Sequence, residues 1–173
     1  MGKNAKTVSV RIPIEISNAL EEESKSIGVS LNATINQVLT KHAQWGRFEK
    51  ELGILHLSKE SAKRLFSTLS KEEVITLASS SCKAMLKELT LFIKGQLNIE
   101  NLIDVISIWL TANNTSFRQI KTPTLERFII RHELGKNYST YLGATIRILF
   151  SEINKEIREI SINERGLVFE IDL

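Results

Sequence analysis

Between residues 6 and 12 apolar and polar residues alternate, with Val8, Val10 and Ile12 on one side and Thr7, Ser9 and Arg11 on the other. A period of two predicts a short strand, which stops at Pro13. Beyond the proline the period lengthens. Ile16, Leu20 and Ile27 recur at offsets of four and seven, the spacing of an amphipathic helix over 14–27, and Gly28 supplies its C-cap. Ser30 is a good N-cap for a second helix, whose Ile35, Val38, Leu39 and His42 share a face and which is predicted to run to about Trp45 or Gly46. The stretch RFEKELGILHLSKES, 47–61, reads as a junction marked by Gly53 and a Ser58 cap.

Helical periodicity resumes over 58–69 and again over 70–94, where Val74, Leu77, Ala78, Cys82, Met85, Leu89 and Phe92 fall on one face and Gly95 ends the run. A further helix over 99–112 carries Leu102, Val105, Ile106 and Trp109, and NNTS at 113–116 closes it. From there the period shifts toward two. Phe128, Ile130, His132 and Leu134 alternate, as do Leu167, Phe169, Ile171 and Leu173 after an NERG turn at 163–166. The first of these stretches also fits a helix through Leu125, Phe128, Ile129 and His132, whereas 138–153 reads as helix alone. The expected division is a small N-terminal domain, 1–50, and a second one, 54–173, with helices over 58–112 and a small antiparallel sheet with one helix over 116–173. The expected class is mainly α with an α+β C-terminal part.

The first strand lacks a neighbour, because the other strand-like stretches lie beyond Thr115. Unpaired backbone groups make an isolated strand unstable and adhesive. By its order of strand, helix, glycine turn and helix, the stretch TVSVRIPIEISNALEEESKSIGVSLNATINQVL, 7–39, resembles the ribbon-helix-helix family of DNA-binding proteins. That resemblance implies an obligate homodimer in which the strands of two copies pair as an antiparallel ribbon that enters the major groove. Unit size argues in the same direction, since about 45 residues is near the lower limit for burying a sufficient core alone.

On this reading Val8, Val10, Ile12, Ile16, Leu20, Ile35 and Leu39 form the dimer core, and Thr7, Ser9 and Arg11 face base edges. Hydroxyls donate or accept there, and arginine matches guanine O6 and N7. Taken alone, Thr and Ser are ordinary strand formers and Arg11 a solubilising charge. Phosphate contacts fall to Lys3 and Lys6 and to Ser30, Leu31 and Asn32, where the start of the second helix leaves N–H groups unpaired. Many members of the family carry a basic residue in this turn. Here Leu31 and Asn32 follow Ser30, which shifts the expected phosphate contact toward Lys3, Lys6 and Lys25.

Composition narrows the function classes further. The chain has 173 residues, 42% of them hydrophobic, enough for a real core. Its net charge is only +3, but the first twelve residues carry Lys3, Lys6 and Arg11 with no acid, while Glu21, Glu22 and Glu23 gather on the following helix. One cysteine, Cys82, excludes an internal disulfide framework, and with His42, His56 and His132 it shows no metal-ligand spacing. No metal or cofactor is therefore expected, which sets aside the nickel-responsive branch of the family. No P-loop, GxGxxG, HExxH, GxSxG or paired-carboxylate signature occurs, so binding is expected rather than catalysis. No apolar run approaches the length of a membrane span and no signal-type leader is visible, which suits a cytoplasmic protein.

Three features of the second domain invite a reading. RHELGKNYS, 131–139, enters a helix through Gly135, and its Lys136, Asn137 and Tyr138 suit an anion at the helix start or, more simply, a capped turn. His132 sits on the apolar face, where a hydrogen-bonded core histidine is the commoner case. Cys82 falls on the apolar face of its helix, as packing rather than as a redox sensor. The function expected overall is a sequence-specific transcriptional regulator that binds double-stranded DNA as a homodimer, with assembly into higher oligomers and a small-molecule effector left open. The alternatives are an antitoxin with a toxin partner, and a receptor or enzyme domain fused to a DNA-binding module.

Overall fold

The computed structural model describes residues 6–173, apart from the side chains of 81–86 and of Glu159. The chain divides into two compact units, 1–47 and 48–173.

In the first unit, residues 6–13 run without regular structure into α1, Ile14–Ile27, and α2, Leu31–Gln44. Pro13 precedes α1 because a proline has no N–H to lose at a helix start and its φ of −53° leads into the first turn. Gly28 ends α1 at φ 70°, a left-handed conformation that a Cβ would disfavour, and its N–H bonds to the Lys25 carbonyl. Ser30 then caps α2, its hydroxyl accepting from the Ala33 N–H at 3.2 Å. The two helices pack on each other, but little is enclosed. Among the described residues of this unit only Ser24, Thr34 and Trp45 are buried.

The second unit starts with three short helical segments. Ser58 caps α3, Lys59–Ser67, and Ser70 with Glu73 forms a reciprocal capping box on α4, Lys71–Leu77. Hydrogen bonds from the Ser70 backbone and hydroxyl hold the Glu73 carboxyl below its ordinary pKa. A π-helical turn, Ala78–Cys82, then separates α4 from α5, Lys83–Lys94. The sequence ASSSC places three serines there. Side-chain hydroxyls compete with the helix ladder, and Ser79 and Ser80 both donate to the Thr76 carbonyl at 2.9 Å. The single helix expected over 70–94 is therefore interrupted at this turn.

Asn98 caps α6, Ile99–Ala112, which leads into β1, Ser116–Lys121, and β2, Leu125–Arg131. Helix α7, Lys136–Ser151, crosses to β3, Ile157–Asn163, and β4, Gly166–Asp172. The sheet is antiparallel throughout, in the order β1-β2-β4-β3.

Register explains which side faces the helices. Ile130, Phe128 and Glu126 oppose Leu167, Phe169 and Ile171, and all six are buried. The Phe128 and Phe169 rings stack with centroids 4.9 Å apart, and Phe150 of α7 meets Phe169 at 6.3 Å. Gly143 lets α7 lie close to β3, because a Cβ there would come within 3.0 Å of the Ile160 and Ile162 side chains. Val74, Leu89, Leu102, Val105 and Leu110 complete a continuous apolar core.

The N-terminal ribbon is not found. Residues 6–12 form no strand among the described residues, and the chain's first regular element is the helix at Ile14. A ladder requires a backbone partner, and the alternation of Val8, Val10 and Ile12 does not supply one. The fold class is corrected accordingly: a helix-rich chain whose sheet is confined to its C-terminal part. Two strands escaped the reading of the sequence, β1 and β3, both at the sheet edges.

Candidate functional site

The residues expected to contact DNA occupy the lead-in to α1 and the α1–α2 turn. Lys6, Thr7, Ser9 and Arg11 are all exposed on a segment without regular structure. Lys3 lies outside the described residues. Ser30 spends its hydroxyl on the Ala33 N–H, so only the backbone N–H groups of Leu31 and Asn32 at the first turn of α2 lack an intrahelical acceptor. Asn32 is exposed, and its carbonyl accepts from the Asn36 side chain at 2.9 Å.

The seven residues expected to form a dimer core separate into two groups. Ile12, Leu20 and Ile35 are half-buried within the unit, whereas Val8, Val10, Ile16 and Leu39 are more than half exposed. Ile14, Ile27 and Val38 add to this uncovered surface, whose members range from 48% exposed at Val38 to 69% at Val8.

In the second unit three polar arrangements are closed rather than open. The Leu134 N–H donates to His132 Nδ1 at 3.1 Å, which places the ring proton on Nε2, 2.9 Å from Ser139 Oγ. The Ser139 hydroxyl in turn donates a hydrogen bond to the Asn163 carbonyl at 2.7 Å. His132 thus donates to this serine and does not act as its base, and burial lowers the histidine pKa. Tyr138 packs edge-on against the imidazole.

At the start of α7 the anion is the protein's own: the Lys136 N–H donates to Glu164 Oε2 at 3.1 Å. Asn137 is also engaged, its amide donating to the Phe66 and Leu69 carbonyls at the end of α3. The side chain of Cys82 lies outside the described residues.

A fourth arrangement went unread in the sequence. Glu126 is fully buried on the helix-facing side of β2, with Gln119 Nε2 hydrogen-bonded to its Oε1 and Lys121 Nζ 3.8 Å from its Oε2. Ser107 of α6 extends the chain, bonding Gln119 Oε1 at 3.2 Å. The signal was present in LERFII, where Glu126 has the same parity as the inward Phe128 and Ile130. These groups tie α6 to the sheet edge. Among the described residues no cluster of His, Cys, Asp or Glu is arranged to hold a metal ion, and no helix is long and apolar enough to cross a membrane.

No family model, curated protein or solved structure matches this chain. The resemblance of 7–39 to the ribbon-helix-helix family is therefore overturned on two counts: no family model supports it, and the segment that should be its strand forms none.

Proposed function

We propose that the protein is a cytoplasmic DNA-binding regulator that acts as a homodimer, with residues 6–44 as the module that associates and touches DNA. The observation that supports this reading is the uncovered apolar surface of the first unit beside an acid-free segment carrying Lys6 and Arg11. Burying the exposed part of a valine, leucine or isoleucine contributes on the order of 1 kcal/mol. An isologous interface uses the same seven side chains from both copies, so the gain is roughly 14 kcal/mol, comparable with the ~4–15 kcal/mol lost on association.

The second unit, with its own core, serves assembly or effector binding. That core also weighs against the antitoxin reading, which calls for a flexible toxin-wrapping segment. In the proposed complex Arg11 supplies base contact and Lys6 holds phosphate. Arg11→Ala should then cost about 1–3 kcal/mol on a preferred duplex and much less on a scrambled one. Lys6→Ala should weaken both alike and lower the salt slope by about one unit. Titrating both variants against both duplexes at several salt concentrations tests the reading. Unchanged discrimination in Arg11→Ala would remove this segment as the reader.

A further inference from the structure

Among the described residues α6 and α7 pack on one face of the sheet of the second unit, the side of Gln119, Ile160 and Ile162. Its other face carries the alternate residues of each strand, and the register sets them in rows. Ser116, Arg131, Gly166 and Asn163 lie across one row, and Arg118, Ile129, Val168 and Ser161 across the next. Neither row contains an acid. The following row brings Arg127 against Glu170, and beyond it Arg158 approaches Asp172 at 3.6 Å. The acids of the face lie at that end, Glu170 and Asp172 each with an arginine beside it and Glu159 opposite Glu170 in the register. At the other end Arg118 and Arg131, both exposed, have no ion-pair partner among the described residues. They are diagonal neighbours on adjacent strands, a spacing of roughly 7–8 Å at which like charges repel unless an anion lies between them.

We propose that this acid-free end of the open sheet face, centred on Arg118 and Arg131 with the hydroxyl of Ser116 beside them, holds the phosphate backbone of double-stranded nucleic acid. It rests on the DNA-binding reading above and adds a second, sequence-independent contact to it. Arginine and hydroxyl side chains are phosphate-positioning groups, and the two rows carry no acid to repel a polyanion. The aromatic residues decide between duplex and single strand. Phe117, Phe128 and Phe169 all lie on the helix-facing side, so among the described residues the strands present no ring on the open face on which an unpaired base could stack. An acidic protein partner fits less well, because the apolar residues of this face, Ile120, Ile129 and Val168, stand one to a strand and include no aromatic anchor.

The test uses the full chain and the double variant Arg118→Gln/Arg131→Gln, both positions being exposed. The control is Arg64→Gln/Arg158→Gln, which removes the same charge from arginines that already face carboxylates. Binding to a random-sequence duplex is titrated from low to high salt. The face variant should lose about two units of the slope of log affinity against log salt, with equal weakening on preferred and scrambled duplexes, while the control keeps the wild-type slope. If wild type binds and the face variant matches it, this inference falls and the N-terminal reading stands. An equal loss in the control also overturns it, as an effect of net charge alone. Absence of any duplex binding by wild type sinks both readings. Binding of polyglutamate in place of duplex, lost in the face variant, would assign the surface to an acidic protein and overturn the proposal.

Discussion

The two units use the same kind of amphipathic periodicity to opposite ends. In the second, Leu102, Val105 and Ile106 of α6 are buried, as are Leu142, Ile146 and Leu149 of α7. In the first, Ile16, Ile27, Val38 and Leu39 recur at the same helical spacings and stay about half exposed. Periodicity therefore tells which face of a helix requires cover, and a separate count of partners tells whether the chain provides it. The second unit provides it with a sheet and five helices among the described residues. The first has two helices and buries, besides Trp45, only the polar Ser24 and Thr34.

The largest expected effect sharpens this contrast in stability. Phe169 is fully buried between Phe128 and Phe150, so Phe169→Ala should cost about 3–5 kcal/mol in urea denaturation, independent of protein concentration. Leu39→Ala, more than half exposed in the single chain, should cost under about 1 kcal/mol at dilutions where association is lost, and more at high concentration. Equal costs at every concentration would erase the distinction between the units.

Close packing in the second unit predicts a second, somewhat smaller effect. A Cβ at Gly166 would overlap the Ile130 carbonyl oxygen, which is backbone and has little freedom to move. Gly166→Ala should destabilise by about 1–3 kcal/mol and raise amide exchange along β2 and β4 before it affects α1 or α2. A stability like that of the parent protein would mean that the strands separate more freely than their register implies.

Much of the second unit was legible in the sequence. β2 and β4 announce themselves because they are central and their inward residues are apolar, Phe128 and Ile130 facing Leu167 and Phe169. β1 does not, because its inward positions Gln119 and Lys121 are polar, and they are polar because they meet the buried Glu126. An edge strand can thus hide when a polar contact replaces the expected hydrophobe. The break in the helix over 70–94 was hidden for a different reason: its apolar face continues in register past the serines that loosen the ladder. At residues 6–12 the error ran the other way. Alternation is a property of side chains and a strand a property of backbone partners, and the second was inferred from the first. Apart from Lys3, which lies outside the described residues, the expected DNA-contacting residues lie on the segment before α1 and at the start of α2, but neither Glu126 nor the open arginine face was read from the sequence.

A smaller effect is a dependence on pH specific to the second unit. Burial lowers the His132 pKa in the folded chain, so the unfolded state binds the proton more readily. The stabilising contribution of the neutral ring is present above the unfolded value of about 6.5 and is lost as pH falls below it. Protonation also removes the acceptor for the Leu134 N–H. Melting of the wild type from pH 7.5 to 5 should show this decline, and His132→Gln should flatten it. A variant as sensitive as the wild type would place the dependence elsewhere.

The central claim is that the first unit is completed by a second copy of the chain, and sedimentation equilibrium on the full-length protein tests it most directly. The wild type should sediment at twice the 19.6 kDa chain mass at micromolar concentration. Leu39→Glu, which in a single chain is an exposed change of little cost but in the dimer buries an unpaired charge, should sediment at the chain mass with its second unit still folded. A wild type that stays at the single-chain mass up to hundreds of micromolar, or a Leu39→Glu variant that associates as the wild type does, would contradict the account.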